Sequence, residues 1–231
     1  MRSADDLATL VSAAASARGD RYTMDELGIP SLLLMERAAL AVAHEIRERF
    51  AAGREIVVLC GPGNNGGDGL AAARQLRGWG VPARVHLCTE RHNDVVAEQV
   101  RLARAMGVEV VQGLPSAPAT ASMVVVDALL GTGARGAPRG SIAEALAWLD
   151  AAPGPRVAID IPSGVDPDSG AVPGIAARVA LTVTMGRSKP GLHITPGRAQ
   201  SGEVVVAEIG LVDAPADPER EAARLVSPWQ V

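Results

Sequence analysis

The sequence predicts an α/β fold: a three-layer αβα sandwich on a mostly parallel central sheet. The first sign is strand-length runs that are apolar throughout, such as Ile56-Val57-Val58-Leu59-Cys60, because a strand covered on both faces needs no polar side. Second, these runs alternate with helical patterns, as crossovers between parallel strands require. Third, 231 residues with 48% hydrophobic and 21% charged side chains suit one globular domain and exclude a disordered or fibrous chain. Only 2% are aromatic, so Val, Leu, Ile and Ala must build the core. A formal charge of -4 and a pI near 5.6 have the wrong sign for coating nucleic acid or an anionic membrane.

Taken in order, Leu7 to Ala17 reads as an amphipathic helix, since Asp5 and Asp6 stand where a secretion signal carries positive charge. Thr23 and Glu26 fit a capping box, and Gly28-Ile29-Pro30-Ser31 makes a turn. A helical pattern follows from Leu32 to Phe50. Ile56 to Cys60 is the first strand; a glycine-rich turn leads from it to a helix from about Asp68 to Trp79. Arg84 to Cys88 is a strand, Val95 to Met106 a helix capped by Asn93 or Asp94, and Val108 to Val111 a short strand. Met123 to Ala128 is a strand, Ser141 and Glu144 cap a helix ending near Leu149, and Arg156 to Ile161 is a strand. Val179 to Met185 and Glu203 to Ile209 follow with no long helix between them, so this edge is expected to be less regular and partly antiparallel. The whole reads as one Rossmann-like domain over residues 1–231, with a core of about 20–211 and a loose Pro/Ala-rich tail from Asp213. No run approaches the roughly 20 apolar residues that span a bilayer, so a cytoplasmic protein is expected. Cys60 and Cys88 end strands and read as small buried apolar groups.

In such a sheet, ligands bind beyond the carboxyl ends of the strands, near the point where strand order reverses. The polar and glycine-rich segments fall at those ends: Gly61 to Gly69, Asp127 with Gly131 to Gly136, and Asp160 with Pro162 to Asp166. Topology alone brings these three distant segments to one rim. Gly61, Gly63 and Gly66 formally satisfy a dinucleotide fingerprint, with Glu90 as the ribose-binding acid. Against an ordinary dehydrogenase stand two asparagines in the turn and Asp68 at the helix start, where a carboxylate competes with a pyrophosphate. A plain tight turn would not need those polar side chains. Arg135 and Arg139 suit a phosphate, or are simply solvated surface charges. Asp127 and Asp160 each end an apolar strand, where acid/base work, cation binding and capping of loop amides are all open.

These residues carry a resemblance. Gly28-Ile29-Pro30-Ser31 with Leu34-Met35-Glu36, the Gly61 to Gly69 loop, Asp127 with Gly131-Thr132-Gly133, Asp160 to Gly164, Lys189-Pro190-Gly191-Leu192 and Gly202 to Val206 are similar, in order, to the YjeF N-terminal domain family of NAD(P)H-hydrate epimerases. The resemblance implies interconversion of the R and S epimers of hydrated NADH or NADPH, which carry a hydroxyl on ring carbon C6, for nucleotide repair. It implies substrate contacts at Asn64, Asn65, Gly66, Gly67, Asp68, Gly131, Thr132, Gly133, Ala134, Arg135, Gly136, Ala137 and Asp160. It also implies a potassium ion held by Asn65, Asp127 and Ser163, a set of oxygens that suits a hard monovalent cation. Epimerising C6 needs an acid for the departing oxygen and a base for its return, for which Asp160 is the first choice and Lys189 the second. The resemblance implies a homodimer, since helical N-terminal segments in this family often pack between subunits. Coupling to a separate dehydratase is expected, since no Lys-Ser/Thr phosphate loop for an ATP-dependent dehydratase is present. The alternative is a non-catalytic nucleotide-binding or scaffold module on the same fold. Arg37 and Ala39 stand where the family pattern has asparagine and glycine, so substrate preference shifts if position 37 faces the pocket.

Overall fold

The computed structural model describes residues 9–213 and 223–224. The expected tail therefore lies outside the described residues except for Asp213 and the Ala223–Arg224 pair, and Leu7 lies outside them too. The chain opens with β1 (Thr9–Leu10), which pairs antiparallel with β9 (Ala223–Arg224). Ser12 caps α1 (Ala13–Arg21) by accepting from the Ala15 N–H, so this helix starts later than the apolar run suggests. A π-helical turn (Tyr22–Glu26) follows. Thr23 caps nothing: it is fully buried and its hydroxyl both donates to the Val212 carbonyl and accepts from the Val212 N–H.

Then come α2 (Ser31–Arg49), β2 (Glu55–Cys60), α3 (Asn64–Gly78), β3 (Ala83–Leu87), α4 (Asp94–Ala105) and β4 (Glu109–Gln112). The second half runs β5 (Met123–Ala128), α5 (Gly140–Asp150), β6 (Arg156–Ile159), β7 (Leu181–Met185), α6 (Gly197–Ser201) and β8 (Glu203–Ala207). Asn93 caps α4 as expected, whereas α5 starts one residue before Ser141 and has no side-chain cap.

Seven strands form one sheet in the order β4-β3-β2-β5-β6-β7-β8, and every neighbouring pair is parallel. The expected antiparallel character at the C-terminal edge is thus wrong. A short 3₁₀ turn (Pro190–Leu192) and five-residue α6 suffice to carry the chain back to the start of β8. Strand residues alternate between two cores. Ile56, Val58, Val124 and Val126 pack under α2, α3 and α4, while Val57, Leu59 and Val125 pack under α5. On α2 the buried Leu34, Met35, Ala38, Ala39, Val42, Ala43 and Ile46 form one stripe at helical spacing. Each large apolar side chain buried this way contributes about 1.5–3 kcal/mol. Among the described residues, no helix is long and apolar enough to cross a membrane.

Candidate active site

Strand order reverses between β2 and β5, whose following loops leave in opposite directions and open a crevice. A cleft of about 500 Å³ lies there. Its lining combines apolar side chains, among them Met24, Leu34, Met35, Val95, Met185, Ile209 and Leu211, with Asn64, Asn65, Asp68, Gly131, Thr132, Asp160 and Lys189. The three sequence segments do meet.

Helix α3 begins at Asn64, about one turn earlier than asparagine and glycine propensities suggest. Tertiary contact overrides propensity here. A Cβ on Gly61 would lie 1.8 Å from the Leu129 carbonyl oxygen, and one on Gly66 2.2 Å from that of Gly61. Only glycine lets the turn press against the loop after β5. Asp68 consequently sits inside the helix rather than at its positive end, and the competition with a pyrophosphate inferred from the sequence does not arise.

Asp127 is fully buried where β5 ends. Its Oδ1 accepts from the Ser163 hydroxyl (2.6 Å) and the Leu129 N–H (3.2 Å), its Oδ2 from the Ser163 N–H (2.8 Å). Burial still wins over these donors and pushes its carboxyl above the usual range. Ser163 Oγ accepts from the Leu130 N–H, and Asn65 Nδ2 donates to the Leu130 carbonyl at 3.0 Å, which fixes the amide orientation. Asn65 Oδ1 is left buried with no hydrogen-bond partner. An orphaned amide oxygen beside an under-compensated carboxylate and a hydroxyl is a donor set that fits a hard monovalent cation. No three His, Cys, Asp or Glu side chains gather as a transition-metal centre needs, among the described residues.

Asp160 follows β6 at φ 67°, the one described non-glycine residue with positive φ, and a site of backbone strain. The turn aims its carboxylate into the cleft with 14% of the side chain exposed. Oδ1 accepts from Lys189 Nζ at 2.7 Å, and Oδ2 from the Thr132 N–H at 3.3 Å. Burial alone pushes this carboxyl up, but the Lys189 ammonium and the surrounding donors outweigh it and hold it below the usual range. Lys189 is 1% exposed and places its other two protons on Thr184 Oγ1 (2.9 Å) and the Met185 carbonyl (3.0 Å). With every proton engaged, Lys189 fixes the charge of Asp160 and is poorly placed to protonate a ligand.

Asp68 lines the same cleft without a hydrogen bond to a described residue, and burial, then Asp160 and Asp20, push its carboxyl well up. Asp20 and Met24 are lining residues that sequence reasoning missed; Asp20 is on α1 and Met24 on the π-helical turn that follows it. Gly66 and Gly67 lie beneath the cleft as packing residues, the latter 2.8 Å, by its absent Cβ, from Met35 Cε. Arg135, Gly136 and Ala137 stand outside the cleft, and Arg135 turns its guanidinium back onto the Thr132 and Ala134 carbonyls. Arg139 is exposed at the start of α5. Arg37 is exposed beside Gly210 and Ala39 is fully buried, so neither departure from the family pattern reaches the cleft. Burial pushes the Cys88 thiol up to about 12 and the Cys60 thiol well up, so neither is a nucleophile at neutral pH.

The family model for "YjeF-related protein N-terminus" matches residues 31–191. The chain is 39% identical over 202 residues to the NAD(P)H-hydrate epimerase of Limosilactobacillus fermentum, covering 86% of this chain and 95% of the relative. It is 40% identical over 193 residues to the bifunctional NAD(P)H-hydrate repair enzyme Nnr of Pyrobaculum aerophilum, covering 80% of this chain but only 38% of that longer protein. The crystal structure of the yeast protein ynu0 shares the fold, with a TM-score of 0.75 at 24% identity over 94% of this chain and 99% of that one. With more than half of its length matched, the chain belongs to the YjeF-related N-terminal domain family.

Proposed function

We propose that this protein is an NAD(P)H-hydrate epimerase, an isomerase that interconverts the R and S epimers of hydrated NADH and NADPH. One observation carries the reading. The turns after β2 and β6 bring Asn65 and Asp160 to a single cleft at the switch point, Lys189 joins Asp160 from the segment after β7, and the buried Asp127–Ser163 pair is hydrogen-bonded to the Leu129–Leu130 segment that lines the cleft. The relatives' names supply the substrate.

Inversion at C6 passes through loss of the hydroxyl, with the ring-nitrogen lone pair forming a C=N bond and leaving a cation. An ionised Asp160 stabilises that cation and accepts a proton from the water that re-adds. Its lowered pKa keeps it ionised as an electrostatic partner and argues against Asp160 as the acid; as a base it needs only to take the proton of water already bonding to the cation, which is strongly acidic. Gly131 to Gly133 and the first residues of α3 line the cleft, where backbone N–H groups at a helix start suit an anionic nucleotide. Asn65, Asp127 and Ser163 would hold a potassium ion, which neutralises the buried Asp127 and fixes the two loops that carry the substrate. The same proposal includes a cytoplasmic homodimer working with a separate NAD(P)H-hydrate dehydratase. Bifunctional relatives, whose printed name is a repair enzyme, support the coupling.

A non-catalytic scaffold on the same fold predicts different ligand behaviour. Hydrated NADPH at 100 times its Kd is expected to add about 2.7 kcal/mol of stability in thermal melts. Potassium, compared with an equal ionic strength of a bulky organic cation, adds a further increment that Asn65→Ala removes. A melting curve unmoved by the nucleotide and by potassium contradicts the proposal and favours the scaffold.

A further inference from the structure

Resting on the epimerase reading, the geometry points to Asp20 as the catalytic acid: we propose that its carboxyl protonates the departing C6 hydroxyl, while Asp160 takes the proton of the water that adds to the other face. Position 20 precedes the family match, which begins at residue 31.

Asp20 reaches the cleft on an N-terminal strap tied down at several points. The Ala13 N–H donates to Asp168 Oδ1 at 2.7 Å, the Val11 N–H donates to the Ser188 carbonyl at 3.0 Å, and the buried Thr23 hydroxyl is tied to Val212. Between these anchors the chain passes from α1 into a π-helical turn, a rare geometry that tends to mark functional sites, and Asp20 and Met24 both line the cleft. Among the described residues Asp20 has neither hydrogen bond nor ion pair, so nothing structural explains a carboxyl there. The charged groups facing it are Lys189 and Asp160, its neighbour Arg21, and Asp68 across the cleft. Burial raises its pKa and Asp160 adds to that, while Lys189 and Arg21 pull it down without cancelling the rise. Asp160, held ionised in the same cleft, takes the opposite state. Two carboxyls pushed apart in pKa divide the labour of acid and base. Asp68 is also raised, but it lies one turn along α3 from Asn65, a proposed cation ligand, whereas Asp20 comes from a separate segment that carries none of those ligands.

The step balances without a redox partner. The ring-nitrogen pair makes the C=N bond, the C6–O pair leaves on oxygen, and the Asp20 proton converts that oxygen to water. Water then adds to the opposite face, Asp160 takes its proton, and exchange with solvent removes that proton from Asp160 and returns one to Asp20.

Asp20→Asn separates this from a structural role. We expect it to melt near the wild-type temperature, because the carboxyl removed is only half-buried and has no hydrogen bond to a described residue. We also expect it to keep its thermal shift with hydrated NADPH, and to lose epimerisation at least about 100-fold. The wild-type rate falls as pH rises through the Asp20 pKa, and the variant's residual rate lacks that alkaline fall. Wild-type rate with the alkaline fall intact in Asp20→Asn overturns the assignment, as does a lowered melting temperature with activity lost only in proportion. If Asp68→Asn alone abolishes the alkaline fall, the acid is Asp68 and the assignment is overturned. An inactive wild type overturns the epimerase reading itself, a result distinct from an active wild type with an unaffected variant.

Discussion

Asp160→Asn is expected to cut epimerisation by about 10²–10⁴-fold, the usual contribution of a positioned acid or base. Asparagine is the informative replacement. It keeps the size of the side chain and an oxygen for Lys189, and it tolerates the left-handed backbone that Asp160 adopts at φ 67° better than other residues do. Loss of activity therefore reports on the charge and not on the turn. The variant also leaves the Lys189 ammonium, 1% exposed, facing a neutral amide. Breaking a buried pair costs about 3–5 kcal/mol, with the retained hydrogen bond placing this case near the low end. Steady-state rates and melts on the same preparation check both effects, and an undiminished rate means that Asp160 is not the base.

Lys189→Met carries the second large effect. With the ammonium gone, burial dominates at Asp160, whose carboxyl moves from below its usual range to above it. In the wild type the depressed pKa contributes stability that is present above the unfolded value and lost as pH falls through the folded one. In the variant the sign reverses: the folded state binds the proton more tightly, so stability is recovered on acidification. The expected loss of about 3–5 kcal/mol is thus greatest at neutral and alkaline pH and smaller in mild acid. Activity needs the carboxylate, so its pH profile shifts to higher pH. The Asp160→Asn/Lys189→Met double variant should be less destabilised than the sum of the two singles, because no lone charge remains. Denaturant melts across pH measure all three, and a pH-independent loss in Lys189→Met argues that Lys189 acts through packing alone.

The strands were legible because continuous apolar runs such as Val124-Val125-Val126 have no other use in a chain of this composition. Once strand, turn and helix alternate, topology carries Asn65, Asp127 and Asp160 to one rim; Asn65 and Asp160 line the cleft there, and Asp127 is buried next to it, bonded to Leu129 and Ser163. Three features were not legible for physical reasons. The start of α3 at Asn64 contradicts local propensity, and only the close approach of Gly61 and Gly66 to neighbouring carbonyls explains it. The direction of β8 depends on a crossover built from one 3₁₀ turn and a five-residue helix, too short to leave a periodic pattern. Asp20 sits in an alanine-rich segment with no motif around it. Its importance comes from where the strap is tied, at Asp168, Ser188 and Val212, contacts spanning most of the chain. Arg135 and Arg139 show the converse: the arginines look like phosphate ligands in sequence, but one folds back on its own loop and the other faces solvent.

The most direct test starts from the pure R epimer of hydrated NADPH, mixed with this protein and a dehydratase that consumes only the S form. Complete consumption, with the rate set by the amount of this protein and no net oxidation of the nicotinamide ring, is the predicted result. An R epimer that binds in the cleft yet persists at its spontaneous rate contradicts the account.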